Sequence, residues 1–442
     1  MNFRTDILYR KQRLVHLLDV LIRRDKDIVD ALYRDFRKPE FEAVATETAL
    51  VQDELKYIIK RIRRWSKPRR VWPSIINFPS TDYLIPEPYG DVLIISPWNY
   101  PFQLAMMPLI AAVAAGNRVV LKPSEHAPNT AEVLSLILTE VFDPTHVEVY
   151  TGGAQVAQKL LERQWDYIFF TGSTQVGKIV ARSAAENLTP ITLELGGKNP
   201  CIIDASANLE LSARRIVWGK FINAGQTCIA PDYLLVDEKI SDQLIKLLIR
   251  EIKNAYGQNP RESSDFARII TQNHAERLAN LIDKQHLVYG GEIDLENRYI
   301  SPTVVLNPPL ESGLMGDEIF GPILPILTYR NHDDLHKVIS RYERPLGFYI
   351  FTQNQAIADA LLSQYSFGGG CVNDTVIQYA NRRLPFGGVG HSGLGAYHGK
   401  RSFDTFTHYK PVVKRGTWID PSLRYAPYGN KAGLIRKLFK WM

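Results

Sequence analysis

Between residues 91 and 195 the sequence alternates short apolar runs with longer segments whose apolar residues have helical spacing. This alternation predicts strands over 91–96, 118–121, 147–150, 167–170 and 191–195, separated by helices over 103–115, 128–142, 153–163 and 174–186. Strands that alternate with helices indicate an α/β fold with a parallel, doubly wound sheet. Ligands bind such a sheet beyond the carboxyl ends of its strands, so functional residues are expected there.

A second α/β region begins near residue 208. Its pattern predicts helices over 208–223, 240–255 and 273–285, and strands over 232–236, 299–306, 323–329, 348–351 and 370–373. The chain before the first sheet predicts one amphipathic helix over 4–36, a second over 42–65, and an irregular or hairpin segment over 71–90. We therefore expect two α/β domains, which a chain of 442 residues is long enough to form.

Composition excludes several classes of protein. Three cysteines in 442 residues do not make a disulfide framework, which favours a reducing, cytoplasmic location. Charged residues such as Arg4, Asp6 and Arg10 interrupt any signal-peptide pattern. The longest apolar run, 104–115, is too short to span a bilayer and is interpreted as a core helix. The basic run 60–70 is interpreted as a solvated helix face rather than a nucleic-acid patch, because no nucleic-acid motif accompanies it.

Polar residues follow the predicted strands where a ligand would bind. Asn99 can donate to an oxyanion, although it can equally cap the next helix. Lys122 and Glu125 suit the hydroxyls of a ribose, unless they form a solvent-exposed turn. Gly172 and Ser173 open a helix whose free amides suit a phosphate, with an ordinary capped helix as the alternative.

Three further stretches carry reactive groups. Glu194 ends an apolar strand, where burial would raise its pKa towards that of a general base; the alternative is a salt bridge to Lys198. Glu318 and Phe320 share a loop that suits a ribose and a nicotinamide, or is a plain turn. Cys228 follows an Ala-Gly pair at the predicted end of a helix, where a substrate can reach it, although a buried spectator cysteine is the commoner case.

In this order, the motifs PWNYP, KPSE, FTGST, LELGGK, GQTC, EIFGP and PFGGVG resemble those of the aldehyde dehydrogenase superfamily. The stretch 385–408 is most similar to the class 3 branch, which acts on fatty and aromatic aldehydes. The resemblance implies a cofactor-binding domain (1–76 and 92–196), a catalytic domain (197–394), a small β oligomerisation arm (77–91 and 395–415) and a C-terminal tail (416–442).

The resemblance also implies a mechanism. Cys228 would attack the aldehyde, Asn99 and the backbone N–H of Cys228 would hold the oxyanion, and Glu194 would activate the water that hydrolyses the thioester. NAD would accept the hydride, with NADP as an alternative, and no metal is expected. The residues expected to contact the cofactor are Trp98, Lys122, Glu125, Gly172, Ser173, Gly177, Leu195, Glu318 and Phe320.

The substrate class and partners follow from the same resemblance. Tyr100, Trp218, Asn373 and Phe386 match positions that line an apolar pocket, which favours medium- or long-chain aliphatic or aromatic aldehydes. A CoA-acylating enzyme and a non-catalytic cofactor-binding protein are the alternatives, and the set of Asn99, Glu194 and Cys228 argues against both. We expect a homodimer, formed through the 77–91 segment and a strand near 403–413, and no nucleic-acid partner.

The C-terminal segment 431–442 has an amphipathic pattern. Leu434, Ile435, Leu438, Phe439 and Met442 lie on one helical face and basic residues lie off it. This pattern predicts either weak contact with a membrane surface, which would make the protein peripheral, or a helix docked on the protein itself.

Overall fold

The structure is a computed structural model that describes residues 4–74, 77–282 and 284–440. Its helices are α1 (Ile7–Arg23), α2 (Asp25–Phe36), α3 (Glu40–Ala43), α4 (Ala49–Trp65), α5 (Gln103–Ala115), α6 (Pro128–Val141), α7 (Ala154–Leu161), α8 (Thr174–Glu186), α9 (Leu209–Phe221), α10 (Ser241–Tyr256), α11 (Gln272–Ala279), α12 (Gly313–Gly316), α13 (His332–Ile339), α14 (Gln355–Gln364), α15 (Lys400–Thr405) and α16 (Lys431–Lys440). A π-helical turn, Val44–Thr48, joins α3 to α4, and short 3₁₀ turns occur at Ile222–Gly225, Ile377–Ala380 and Ser422–Arg424.

The strands form two large sheets and two small ones. They are β1 (Arg69–Val71), β2 (Ser80–Pro88), β3 (Asp91–Ile95), β4 (Arg118–Lys122), β5 (Val147–Val149), β6 (Tyr167–Thr171), β7 (Ile191–Glu194), β8 (Pro200–Ile203), β9 (Tyr233–Asp237), β10 (Leu287–Tyr289), β11 (Ile293–Asp294), β12 (Tyr299–Ile300), β13 (Thr303–Leu306), β14 (Ile323–Tyr329), β15 (Gly347–Phe351), β16 (Gly369–Val372), β17 (Gly393–Leu394) and β18 (Thr407–Arg415).

The first sheet has the order β17-β7-β6-β3-β4-β5. Strands β3 to β7 are parallel, and only β17 runs antiparallel, against β7. The chain runs from β3 outward through β4 and β5, then returns to the other side of β3 as β6. This reversal makes a topological switch point between β3 and β6, the place where doubly wound sheets bind ligands. The predicted parallel, doubly wound sheet is confirmed.

The second sheet has the order β10-β13-β14-β9-β8-β15-β16 and is parallel except for the edge strand β10. Its core is apolar and separate from that of the first sheet. The α/β class predicted for this region is confirmed. Every residue of α5 is buried, so the apolar run 104–115 is a core helix, as predicted. No helix in the described part of the chain is both long and apolar enough to cross a membrane.

The chain divides into two compact units at positions after Trp65, Glu87 and Thr407. The smaller unit contains the sheet β1-β2-β18. Its strand Arg69–Val71 falls within the stretch 1–76 that the sequence analysis placed in the cofactor-binding domain. The predicted catalytic stretch 197–394 includes β17. This strand nevertheless belongs to the first sheet, because Gly393 pairs with Glu194.

Several predicted elements were wrong in extent. The helix predicted over 4–36 is two helices that meet at Arg24, and the strand predicted over 299–306 is interrupted at Pro302, which has no N–H to donate to a neighbouring strand. The helix predicted over 273–285 ends at Ala279, and Asp283 lies outside the described residues. Part of the strand predicted near 403–413 is helix α15. Strands β8, β10 and β11 and helices α13 and α14 were not predicted.

The helical part of the basic run 60–70 is a solvated face, as interpreted, since Lys60, Arg63 and Arg64 are exposed on α4, whereas Arg69 and Arg70 lie on β1. The C-terminal helix α16 forms within the smaller unit, and the apolar side chains of Leu434 and Phe439 are more than half exposed. Met442 and the side chain of Leu438 lie outside the part of the chain that the structure describes.

Candidate active site

The carboxyl ends of the parallel strands bring the predicted polar residues to one edge of the first sheet. Asn99 follows β3, Lys122 ends β4, Gly172 follows β6, and Glu194 ends β7. Because β3 pairs with both β4 and β6, and β6 with β7, these residues lie around the switch point. The sequence placed them correctly because strand ends are determined by local pattern.

The cysteine loop reaches this edge through an unusual turn. Helix α9 ends at Phe221, and Asn223 and Ala224 that follow both adopt left-handed backbone angles, with φ of 54° and 52°. Gly225 follows with φ of 75°, and a Cβ there would lie 2.3 Å from the carbonyl oxygen of Gly321. Cys228 is partly buried and lies beyond the end of α9, whereas Trp218 lies on that helix.

Asn99 is held beside this loop. Its Nδ2 donates to the carbonyl oxygen of Gln226 at 3.1 Å, and the same amide group carries a second N–H for a ligand. The alternative, that Asn99 caps the next helix, is wrong. The amides of Phe102 and Gln103 at the start of α5 instead donate to the Glu47 carboxylate, at 2.9 and 3.1 Å.

Glu194 is an isolated buried carboxyl group. It is 2% exposed, and within the described residues neither of its carboxyl oxygens has a hydrogen-bond partner. Burial raises its pKa well above the ordinary value. The alternative salt bridge to Lys198 is wrong, because Lys198 Nζ lies 2.6 Å from Asp232 Oδ2 and also donates to the carbonyl oxygens of Leu314 and Asp317.

One cavity of about 510 Å³ contains both Cys228 and Glu194 in its wall. Three of the four residues predicted for the substrate pocket, Tyr100, Trp218 and Phe386, also line it. The structure does not support the prediction that Asn373 lines the substrate pocket. This residue is not among the described residues that line the cavity, and its side-chain amide exchanges two hydrogen bonds with the backbone of Thr352.

The charges around the thiol are unfavourable to a thiolate in the protein alone. Burial, then the carboxylates of Glu318 and Glu194, raise the pKa of Cys228. Burial also raises the pKa of Glu318 to about 8, helped by Asp232. The Glu318 carboxylate packs over Gly196, where a Cβ would lie 2.1 Å from Glu318 Oε2. One glycine of LELGGK therefore makes room for the EIFGP loop.

Most residues expected to hold NAD(P) lie at the carboxyl ends of strands β3, β4, β6 and β7, and their chemistry fits the cofactor. Burial acts to raise the pKa of Glu125, but the hydrogen bond from Lys122 Nζ, 2.5 Å from Glu125 Oε2, keeps it below the ordinary value. Ser173 caps α8 and is exposed, so the free amides of this helix start can face a phosphate. A Cβ at Gly177 would lie 2.7 Å from Leu195 Cδ2, which shows close packing of α8 on the strand end.

The ring of Trp98 contacts those of Phe320 and His274 beside these strand ends. Trp98 lies edge-on to Phe320, with ring centroids 5.2 Å apart, and to His274 at 4.9 Å. Burial lowers the pKa of His274 to about 4, so the ring is neutral at pH 7. His274 was not predicted, because it lies on α11, far along the chain from every motif.

Further cavity residues were also missed. Glu42, Asp265, Tyr256, Tyr379 and Tyr397 contribute to its wall. Only Tyr397 lies in a stretch that the resemblance uses, 385–408, and a periodic pattern cannot show that a helix near residue 40 faces a loop near residue 225. For Glu42, Asp265, Tyr256 and Tyr379 the sequence of this chain alone gave no signal.

Comparison with known proteins agrees with this geometry. Residues 3–412 match the model of the aldehyde dehydrogenase family. The chain belongs to the aldehyde dehydrogenase family. It is 45% identical over 437 residues to 4,4'-diaponeurosporen-aldehyde dehydrogenase of Staphylococcus aureus, covering 98% of this chain and 95% of that protein. It is 40% identical to the dimeric NADP-preferring aldehyde dehydrogenase of Canis lupus familiaris, covering 95% and 93% of the two chains.

The solved structures agree as well. The substrate-bound state of Staphylococcus aureus AldH superposes with a TM-score of 0.97 at 44% identity, covering 98% of this chain and 95% of that one. Several similar proteins are named as members of aldehyde dehydrogenase family 3, so the expected class 3 branch is confirmed. The protein is thus an aldehyde dehydrogenase that oxidises aldehydes to carboxylic acids with NAD or NADP.

Proposed function

We propose that Cys228 is the nucleophile, Asn99 the oxyanion donor and Glu194 the general base of this aldehyde dehydrogenase. The observation that carries the proposal is the shared cavity wall, which contains Cys228, the cysteine of the GQTC motif, and Glu194, a buried carboxyl group without a hydrogen-bond partner among the described residues. A nucleophile and a base that meet in one apolar cavity suit a covalent mechanism in two stages.

In the first stage the Cys228 thiol loses its proton to water, the resulting thiolate sulfur bonds to the aldehyde carbon, and the C=O π bond breaks to leave an oxyanion. The second N–H of Asn99 Nδ2 and the backbone N–H of Cys228 donate to that oxygen. The bound NAD(P) supplies the hydride acceptor. Loss of hydride from the substrate carbon restores the C=O bond and leaves a thioester on Cys228.

In the second stage water attacks the thioester carbon while Glu194 accepts a proton from that water. The C–S bond then breaks, and the acid and the cysteine sulfur are released. The high pKa of Glu194 makes it a strong base once it is ionised, and its unpartnered oxygens leave it able to bind water.

We also propose that the cofactor lies along the carboxyl ends of strands β3, β4, β6 and β7. Lys122 and Glu125 face the adenosine ribose, the start of α8 at Gly172, Ser173 and Gly177 faces the pyrophosphate, and Leu195, Trp98, Glu318 and Phe320 surround the nicotinamide ribose and ring. The exposed cap of α8 and the close packing of Gly177 support this arrangement.

The substrate proposed is a medium- or long-chain aliphatic or aromatic aldehyde. The wall is mostly apolar, and Tyr100, Trp218, Tyr256, Tyr379 and Phe386 give it an aromatic character. Such a wall binds extended apolar chains and rings by burying their surface. The relative named for 4,4'-diaponeurosporen-aldehyde supports an apolar substrate.

The remaining parts of the proposal concern domains and partners. We propose that the first sheet belongs to the cofactor-binding domain, the second to the catalytic domain, and β1-β2-β18 to an arm that joins two chains in a cytoplasmic homodimer. The relative named as dimeric supports the dimer. Weak contact of segment 431–442 with a membrane surface remains a proposal, supported by the exposed Leu434 and Phe439.

The deciding experiment follows reduced-cofactor absorbance with NAD⁺ or NADP⁺ and a panel of straight-chain and aromatic aldehydes. The wild type should turn over, Cys228→Ala should show none, and Glu194→Gln should give one burst without turnover. Retained turnover in Cys228→Ala would refute the proposed roles. A requirement for CoA would instead support the acylating reaction.

A further inference from the structure

The turn that leads to Cys228 is strained and needs support. Asn223 and Ala224 adopt consecutive left-handed conformations, each of which costs an L-residue about 1 kcal/mol or more. Such conformations persist only where surrounding contacts determine them. Contacts from other parts of the chain must therefore hold this turn.

Hydrogen bonds of Asn223 connect the turn to the oxyanion donor. Its Nδ2 donates to the carbonyl oxygen of Asn99 at 2.9 Å and to that of Gln226 at 3.1 Å. Asn99 Nδ2 donates to the same Gln226 carbonyl. A shift of Asn223 would therefore move Asn99 as well as the residues that precede Cys228.

The backbone N–H of Asn223 donates to Glu42 Oε2 at 2.9 Å. Glu42 lies on α3, 181 residues earlier in the chain, and it also lines the substrate cavity. This contact is a charge-assisted hydrogen bond when the carboxylate is ionised, the stronger kind of bond to a backbone amide.

The π-helical turn Val44–Thr48 follows α3 directly and places a second carboxylate in the same region. Glu47 lies five residues after Glu42, and it receives the amides of Phe102 and Gln103 just beyond Asn99. In a regular α-helix residues five apart point about 140° apart, whereas the i to i+5 register of a π-turn brings them closer to one face. One short segment thus contacts both loops of the oxyanion site.

We propose that Glu42 is a positioning residue for the reaction: from the wall of the substrate cavity, its carboxyl group holds the left-handed turn that sets Asn99 and Cys228. The inference rests on the proposed role of Cys228 as nucleophile. The charged and titratable groups that face Glu42 are Lys38, Asp265, Tyr100 and Tyr256. Burial raises the pKa of Glu42 to about 7, and Lys38 opposes that rise.

The test compares Glu42→Ala, which removes the acceptor, with Glu42→Gln, which keeps an acceptor oxygen but has no charge. The readouts are the rate of the first-turnover burst of reduced cofactor, the KM for aldehyde and the dissociation constant for NAD⁺. Glu40→Ala is the matched control, since Glu40 is exposed on the same helix. Cys228→Ala tests the proposed function separately.

We expect Glu42→Ala to slow the burst about tenfold, which corresponds to about 1.4 kcal/mol, with cofactor affinity unchanged. Glu42→Gln should recover most of the burst rate. The pH profile of its burst rate should show no ionisation near pH 7, because the amide does not titrate. Adding Ala224→Gly to Glu42→Ala should also restore the rate in part, because glycine adopts the left-handed conformation without strain.

A wild-type burst rate in folded Glu42→Ala, a burst in Glu42→Gln as slow as in Glu42→Ala, or no recovery with Ala224→Gly would each overturn the inference. If Glu42→Ala does not fold, Glu42→Asp replaces it, since its shorter side chain withdraws the acceptor while keeping the charge. A burst in Cys228→Ala would instead refute the proposed nucleophile and leave the contact of Glu42 untouched.

Discussion

The pair formed by Lys122 and Glu125 leads to a prediction about cofactor choice. Lys122 is buried, and its Nζ lies 2.5 Å from Glu125 Oε2, so the carboxylate neutralises the cation beside the proposed ribose site. A carboxylate accepts a hydrogen bond from the 2′-hydroxyl of NAD and repels the 2′-phosphate of NADP. Glu125→Gln removes that repulsion and frees the Lys122 charge at once, so both effects favour NADP.

The magnitude follows from Coulomb's law. Two unit charges 4 Å apart interact by about 1 kcal/mol in water and about 4 kcal/mol at an effective dielectric constant of 20. The side chain of Glu125 is 34% exposed, which places the interaction towards the lower figure because water screens it. A change of about 1.4 to 2.8 kcal/mol, or about tenfold to hundredfold, is therefore expected in the preference.

The assay is the ratio of kcat/KM for NADP⁺ to that for NAD⁺, measured with one aldehyde at low and high salt. Glu132→Gln is the matched control, an exposed carboxylate on the following helix α6. The shift should shrink as salt rises, since screening weakens exposed charges. A ratio within threefold of the wild type would show that these two residues do not face the 2′ position, and would refute the reasoning.

Three further outcomes are expected. Gly225→Ala should destabilise the protein by at least about 2 kcal/mol, because its Cβ would meet the Gly321 carbonyl; a wild-type melting temperature would contradict this. Phe386→Ala should raise KM for long-chain aldehydes more than for short ones, since it lines the cavity; equal changes would contradict this. Burial raises the pKa of Glu54 from 4.5 to about 7, so this carboxyl group keeps a proton in the folded state that it loses in the unfolded chain, and Glu54 alone should account for a fall in stability of about 3 kcal/mol as pH rises from about 4.5 to 7. Glu54→Gln should remove that fall, as seen in urea midpoints at pH 5 and pH 8, and an unchanged pH dependence would refute it.

The sequence predicted strands β3, β4, β6 and β7 of the first sheet well because each is a mainly apolar run followed by a polar, proline or glycine-rich turn. Helix α5, and strand β14 of the second sheet, also have their predicted bounds. The break between α1 and α2 at Arg24 was missed, because neither glycine nor proline marks it. There Arg24 donates to Glu140, a contact that no local pattern contains.

In the candidate site, too, the sequence identified residues within motifs but not the contacts that they make with distant parts of the chain. Asn99, Glu194 and Cys228 lie in motifs, and their alternatives of helix cap and salt bridge were decided only by the partners of Glu47 and Lys198. Asn373 was placed in the pocket by resemblance, whereas its amide is committed to Thr352.

The reacting groups and the wall of the cavity depend on different parts of the chain. Glu194 ends a strand of the first sheet, so its position tolerates change elsewhere, whereas Asn99 lies beyond β3 and is bonded to the turn before Cys228. The wall comes from α3, α9 and the segment 376–386, whose side chains are not constrained by that sheet. Glu42 belongs to both sets, because it lines the wall and bonds to the turn before Cys228. A substitution at this position that adapts the cavity to another aldehyde should therefore also change the rate of the first chemical step, whereas substitutions at Phe386 should change binding alone.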